Sequence, residues 1–117
     1  MVKRPDTFSL LESGLKAANL RQSTIANNLA NIQTPNFRRS EVEFKGVLAE
    51  ALQGGRTDSV DFQAKIVQPG TTPVNETGND VDVDREIGDM IENSGTYSTY
   101  MRVMTKLYRQ MDLAVQG

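Results

Sequence analysis

The sequence has no cysteine and no histidine. These absences exclude disulfide stapling, the usual structural zinc sites, and catalysis by a cysteine or histidine side chain. No run of about 18 apolar residues occurs, so the sequence predicts no membrane-spanning helix. Residues 1–6 have a basic start with no apolar stretch behind it, and we therefore expect no cleaved secretory signal.

The 117 residues are only 38% hydrophobic. This length and composition predict one modest domain, over residues 1–117, without a large core of its own. The net charge is −2, but residues 76–92 carry seven acidic side chains against Arg85 alone. Such a run is typical of a solvated helix start. The overall acidity argues against nucleic acid as the main partner.

The first predicted helix covers residues 8–32, and its apolar positions recur in alternating steps of four and three. They are Leu11, Leu15, Ala18, Ile25, Leu29 and Ile32, with Gln22 interrupting the series. This narrow heptad stripe is typical of a coiled coil rather than of a globular core helix.

A turn motif follows the first helix. Pro35 lacks an N–H and pushes Thr34 out of the α region, so the helix should end by about residue 32 or 33. Asn36 can adopt a left-handed turn conformation, and Phe37 then starts a new direction. Asn31, one turn before the proline, is placed to bond the carbonyls that the helix end leaves free.

The helix also carries a group of asparagines at positions 27, 28 and 31, where helix propensity is poor. One interpretation is that they are solvent-exposed and neutral. The other is that an amide in a crowded layer of helices bonds a neighbouring chain and fixes axial register. We favour Asn28 for such a contact between subunits, because it lies on the flank of the apolar stripe.

The middle of the chain carries weaker signals. Apolar residues at three- to four-residue spacing predict a short helix from about Glu41 to Gln53, ended by a Gly-Gly pair. The alternation from Val60 to Ile66 is strand-like. Residues 69–80 read as a loop, with a two-stranded element or an extended strap as the alternatives for this part of the chain.

The last predicted helix covers residues 82–115, with acidic capping at its start. Its seam is Ile87, Met90, Ser94, Tyr97, Met101, Met104, Tyr108, Met111 and Val115. At 1.5 Å per residue this helix would be about 48 Å long, too long for a compact chain of this size. The predicted fold is therefore mainly α. Two long terminal helices form an elongated coiled-coil-like hairpin, with a short middle helix and an extended or small β segment between them in residues 33–80.

Two motifs resemble the flagellar axial proteins, the family of rod, hook and hook-associated subunits. Residues 25–31 read Ile-Ala-Asn-Asn-Leu-Ala-Asn, residues 34–37 read Thr-Pro-Asn-Phe, and an Arg-Arg pair follows. The family has glycine where Asn36 stands. Residues 78–87, Gly-Asn-Asp-Val-Asp-Val-Asp-Arg-Glu-Ile, are similar to the lead into the last helix of proximal rod subunits.

The resemblance implies a structural rod subunit with no catalytic residue, metal or cofactor. It implies flagellum-specific export, a periplasmic place in the basal body, and polymerisation into a torque-transmitting shaft and export channel. The implied partners are other rod subunits, the hook–basal-body adaptor protein and the export gate, with no nucleic acid and no lipid anchor. The expected subunit contacts are Leu15, Ala18, Ile25, Asn28, Leu29, Ile32, Ile87, Met90, Tyr97, Met101, Met104, Tyr108 and Met111.

Two other functions are weaker. Gln22, Ile25 and Leu29 have the spacing of a DNA-binding helix-turn-helix, but Pro35 falls where the recognition helix should run. The carboxylates from residue 80 to residue 84 alternate as in a calcium-binding loop, but Arg85 stands where that loop needs glycine.

Overall fold

The computed structural model describes residues 6–44 and 64–116. Its elements are α1 (Asp6–Ala30), β1 (Glu41–Glu43), β2 (Lys65–Val67) and α2 (Val83–Gln116). The two helices pack side by side in a molecule of 64 × 26 × 21 Å. The prediction of a mainly α fold, with two long terminal helices in an elongated hairpin and a small β segment between them, is confirmed.

The helices run antiparallel, as four contacts along their length show. Near the turn, Asn28 bonds Glu86, and at mid-length Asn93 bonds the carbonyl of Ala18. At the far end the rings of Phe8 and Tyr108 lie 4.8 Å apart between centroids. Between them, a Cβ on Gly14 would lie 2.9 Å from the ring of Tyr100, so the glycine permits the close approach of α1 to α2.

The face of α2 that packs on α1 carries polar side chains at its most buried positions. Its buried residues are Glu86 and Asn93, seven positions apart, and the half-buried Tyr100 continues that line. Ile87, which began the predicted seam, is 45% exposed. At alternate positions of the predicted seam the packing residue is thus the preceding one, because Glu86 and Asn93 find bonding partners on α1 and the turn. Met90, Tyr97 and Met104 of that seam are half-buried.

The helix bounds differ slightly from those predicted. The first helix was predicted over residues 8–32, and α1 begins and ends two residues earlier. The backbone N–H of Asn31 donates to the carbonyls of both Asn27 and Asn28, at 3.2 Å each. Thr34 N then donates to the carbonyl of Asn31 at 3.0 Å. These bonds tighten the last turn before Pro35.

The small sheet pairs β1 with β2 in antiparallel register, with Val42 opposite Ile66. The prediction that a helix begins at Glu41 is wrong, because Glu41–Glu43 form a strand. Burial alternates here with the two-residue period of a strand: Val42 and Phe44 face inward while Glu43 faces out. The rest of the predicted helix, 45–53, lies outside the described residues, as does the 60–63 part of the predicted strand.

The loop between β2 and α2 contains no helix or strand over residues 69–80. Within the described parts of the chain, no helix combines the length and apolar character needed to cross a membrane.

Candidate functional site

A buried cluster of charged and polar side chains lies where the turn meets the start of α2, and Arg39 is at its centre. The side chain of Arg39 is 1% exposed and that of Glu86 is fully buried. Arg39 Nε donates to Glu86 Oε1 at 2.6 Å, and Nη1 donates to Glu41. Its other terminal nitrogen lies 3.7 Å from Asp89 Oδ2. A buried arginine is thereby given carboxylate partners on two elements, the strand β1 and the helix α2.

These carboxylates determine the charge state of the arginine. Burial lowers the pKa of the Arg39 guanidinium, but hydrogen bonds to Glu41 and Glu86, together with the charges of both carboxylates, raise that pKa by more. The net pKa is above the ordinary value of an arginine. The cluster therefore contains a permanent cation at every pH at which proteins are normally handled.

Asn28 connects α1 to the same cluster, and its side chain is completely buried. Its Nδ2 donates to the carbonyl of Ser40 at 2.9 Å and to Glu86 Oε2 at 3.1 Å. Its Oδ1 accepts from Ser40 N at 3.0 Å. Both donors and the acceptor are used inside the chain. The structure thus gives Asn28 a role in holding the hairpin turn, and its predicted contact between subunits stays a prediction.

A second pair of side chains, Asn79 and Asp80, closes the turn from the loop side. Asn79 Nδ2 lies 2.9–3.1 Å from the carbonyls of Asn31, Ile32 and Thr34. Asp80 Oδ1 accepts from Arg39 N at 2.6 Å. The carbonyls of the turn that follows α1 therefore accept from a side chain far along the chain. The side-chain Nδ2 of Asn31 donates to the carbonyl of Asn27, one turn earlier in α1, at 2.8 Å.

The turn motif packs against the same loop. Asn36 has φ of 61°, in the left-handed region that the sequence predicted for it, and its N–H donates to the carbonyl of Thr77 at 2.8 Å. Gly78 also has a positive φ, of 79°, and a Cβ there would lie 2.5 Å from Asn36 Oδ1. Thr34 and Pro35 are exposed, and Phe37 is half-buried. The two left-handed residues face each other, and only a glycine fits at position 78 without displacing Asn36.

The acidic run before α2 has separate structural roles. Asp82 caps the helix, since its Oδ1 accepts from Asp84 N at 3.0 Å and lies 3.5 Å from Arg85 N. Asp80 is turned toward Arg39 instead. Among residues 6–44 and 64–116, no group of three or more acidic side chains is arranged to hold a metal ion.

A groove of about 730 Å³ opens beside the cluster, between α1, β1 and α2. Its lining is partly apolar and partly charged, and it includes Ile25, Phe44, Tyr100, Arg21, Glu92 and Asn93. The side chain of Asn93 is 5% exposed, and its Oδ1 is buried without a hydrogen-bond partner. The lining carries charges of both signs, with Arg21, Arg39 and Arg85 beside Glu41, Asp89 and Glu92.

The expected subunit-contact residues fall into three groups. Three are buried within the chain: Ala18, Ile25 and Asn28. Six are half-buried: Leu15, Leu29, Ile32, Met90, Tyr97 and Met104. Four are exposed: Ile87, Met101, Tyr108 and Met111. In the single chain, solvent-exposed surface therefore belongs to the second and third groups, and the subunit contacts themselves stay a prediction.

The sequence did not single out the cluster residues Arg39, Asn79, Asp80 and Glu86, or the buried Asn93 at mid-length of the hairpin, as sites. One signal was present. Glu86, Asn93 and Tyr100 are spaced by seven residues, which is the period of a helix-packing seam. This spacing did not indicate a packing seam, because Glu86 and Asn93 are polar, and a polar side chain is buried on a seam only where it has a hydrogen-bonding partner.

The matches to known proteins cover the parts of the chain that form this cluster. The family model described as "Flagella basal body rod protein" matches residues 9–38, which include most of α1 and the turn motif. The flagellar basal body rod protein FlgB of Bacillus subtilis (strain 168) is 32% identical over 121 aligned residues, covering 95% of this chain and 94% of the relative. The chain belongs to the FlgB family of flagellar basal body rod proteins. FlgB proteins of Borrelia hermsii, at 26% identity, and of Proteus mirabilis (strain HI4320), at 25%, are also similar, covering 87% and 97% of the chain and 90% and 96% of the relatives.

As a FlgB-family protein, the chain is a structural subunit of the proximal rod of the flagellar basal body. The helix-turn-helix alternative has no support from these relatives. The two motifs that suggested the family meet in space: Asn28 and Arg39 come from the first, and Asp80 and Glu86 from the second. The residues that resemble the family are thus those that join the two helices at the turn.

Proposed function

We propose that the chain polymerises with other rod subunits by side-by-side packing of its helical hairpin, forming a shaft that transmits torque and encloses an export channel. The observation that carries this proposal is the apolar surface of α2 that remains exposed although α2 is already paired with α1. Met101 is 41% exposed, Tyr108 is 55% exposed and Met111 is 42% exposed. Such a line of large apolar side chains on a small monomer marks an interaction surface.

The shape of the molecule supports the same function. The hairpin is 64 Å long and at most 26 Å wide, and most residues of α2 are exposed. Further helices can therefore pack along it in the manner of a coiled-coil layer. Exposed methionines suit such a surface, because their flexible side chains adapt to neighbours that are not identical. Leu15, Leu29 and Ile32 extend the proposed contact surface to α1.

The proposed location is the periplasmic rod, reached by flagellum-specific export. The proposed partners are the other rod subunits, the hook–basal-body adaptor protein and the export gate. This function needs no turnover, cofactor or metal. In it, the buried charged cluster holds the turn and the start of α2 rigidly together. A rigid turn end would keep the two helices parallel to the axis along which torque is transmitted.

Cells that lack the gene for this chain and are complemented with variants provide the test. Met101→Asp places a charge in the proposed contact surface and should greatly reduce the number of assembled rods and the motility halo. Thr99→Asp is the matched control, because position 99 is exposed on another side of the same helix. It should leave both measures unchanged at equal expression. Normal rods with Met101→Asp, or equal defects in both variants, would contradict the proposal.

A further inference from the structure

The side of α2 that faces away from α1 carries a regular stripe of exposed residues. The line of Glu86, Asn93 and Tyr100 packs on α1, and the stripe lies on the opposite side of the same helix. Its members recur in steps of three and four, so they share one face, and all are exposed: Asp84, Gly88, Ile91, Gly95, Ser98, Arg102, Lys106, Arg109 and Leu113. We call this set the outer stripe.

Charge along the outer stripe changes sign from one half to the other. Asp84 begins it, with Glu92 at its edge, and Arg102, Lys106 and Arg109 follow in the second half. None of these five side chains has an ion pair or hydrogen bond within residues 6–44 and 64–116. The helix dipole accounts for the position of Asp84 but not for the three cations, because the last turn of α2 contains no basic residue.

The middle of the outer stripe is uncharged and contains two glycines. A Cβ on Gly88 or on Gly95 would meet no atom within 4 Å among the residues described, so packing within this part of the chain does not require a glycine at either position. Glycine inside a helix destabilises it relative to alanine. Ile91, between the two, is 69% exposed. A second helix lying here explains all three residues, because the missing side chains let its backbone approach and Ile91 becomes buried.

The outer stripe is its own complement when one copy is turned end for end. The register that sets Asp84 of one copy opposite Arg109 of the other also sets position 91 opposite 102 and position 95 opposite 98. We propose that the free subunit forms an antiparallel dimer through the outer stripe, with α2 of one copy lying along α2 of a second copy. The two-fold axis passes between residues 96 and 97.

This arrangement satisfies each part of the stripe. The pair of Asp84 and Arg109 forms twice, once on each side of the axis, and the methyl groups of Ile91 pack on the aliphatic stem of Arg102. Asp84 and Arg109 are 25 positions apart on one helix, so the two helices meet over about 38 Å. A parallel pair in register would instead set the three cations against their own copies, which like-charge repulsion opposes.

The dimer goes beyond the proposed function. A contact that uses the same patch on both copies closes on itself and stops at two chains, whereas a shaft needs contacts that repeat without closing. The dimer is therefore a state of the free subunit, distinct from the polymer. Because exposed ion pairs contribute to it, its dissociation constant should rise with salt.

The chain has no cysteine, which permits disulfide trapping with single-cysteine variants. In the proposed dimer the two copies of position 98 are offset by three positions, about 4.5 Å along the helices, whereas the two copies of position 113 are about 50 Å apart. Under mild oxidation, Ser98→Cys should form its disulfide dimer at least about tenfold faster than Leu113→Cys, an equally exposed site on the same stripe. Equal rates would overturn the proposal, because random collision and a parallel pair both predict them.

Charge reversal tests the assigned pair in wild-type surroundings. Sedimentation equilibrium should show a monomer–dimer equilibrium whose dissociation constant rises about tenfold with Arg109→Glu, since two ion pairs become repulsive. Adding Asp84→Arg to the same chain reverses both pairs and should restore the wild-type constant. Lys16→Glu, an equal change of charge at an exposed position of α1, should have no effect.

A wild-type chain that stays monomeric throughout the concentration series, or a double variant weaker than Arg109→Glu alone, would overturn the dimer. Circular dichroism checks that each variant keeps its helix content. The proposed function fails separately: it is refuted if cells lacking the chain build normal rods, whatever the free subunit does in solution.

Discussion

Replacing Glu86 by alanine should be the most damaging single change at the turn end. Glu86 is fully buried, accepts from Arg39 Nε at 2.6 Å and accepts from Asn28 Nδ2 at 3.1 Å. Removing one partner of a buried ion pair costs about 3–5 kcal/mol, because the other charge remains desolvated. Arg39 keeps Glu41 as a partner, so we expect the lower end, about 3 kcal/mol, of a total stability of roughly 5–15 kcal/mol.

Urea unfolding followed by circular dichroism measures this cost as a change in midpoint at constant slope. In a thermal scan, a loss of about 3 kcal/mol corresponds to a fall in Tm of about 12 °C for a domain of this size. Glu92→Ala is the matched control, an exposed glutamate on the same helix, and should change the free energy of unfolding by less than about 0.5 kcal/mol.

A double-mutant cycle separates the buried charge from the lost volume. In an Arg39→Met background no buried cation remains, so Glu86→Ala should cost at least about 1.5 kcal/mol less than it does in the wild-type background. A loss from Glu86→Ala that equals that of Glu92→Ala, or that is the same in both backgrounds, would refute the ion-pair argument.

Three further outcomes are expected. Asn28→Ala should cost about 2 kcal/mol in urea unfolding, because it leaves the amide and carbonyl of Ser40 without partners, and a stability equal to wild type would contradict this. Gly78→Ala should cost clearly more than Gly70→Ala: both have positive φ and share a backbone strain of about 1–2 kcal/mol, but only the first would also clash with Asn36. Hydrogen exchange on dilute protein should be fast in residues 109–116, at the end of α2 beyond the Phe8–Tyr108 contact, and slow beside Asn93, and uniform protection along α2 would contradict this.

The sequence predicted what depends on local chemistry. The heptad spacing predicted both long helices, and the proline at position 35 predicted where the first must stop. Asn36 adopts the left-handed conformation expected of an asparagine in that turn. The acidic start of the second helix likewise became a cap, supplied by Asp82. Each of these features is decided within a few residues, so a single sequence contains enough information to predict it.

What depends on distant partners was not predictable in the same way. Glu86 read as part of a solvated acidic run, because nothing near it in sequence shows that Arg39 and Asn28 converge on it. Alternate positions of the α2 packing face were placed one residue too late for the same reason: apolar content favoured Ile87 over Glu86, which the structure buries. The strand Glu41–Glu43 was mistaken for a helix start because the helical spacing that follows it begins only at Phe44.

The long-range hydrogen bonds at the end of the first helix affect the order in which the chain can fold. The carbonyls of the turn that follows α1 accept from Asn79, at sequence separations of 45–48, and Asn28 meets Glu86 at a separation of 58. A chain that emerges from its N-terminus therefore cannot complete this turn until residue 86 has followed. Until then the first helix has its heptad stripe but no partner, and short unpartnered helices are marginal in water. The hairpin turn therefore closes late, only after the second motif has followed, because its bonds join residues far apart in the sequence.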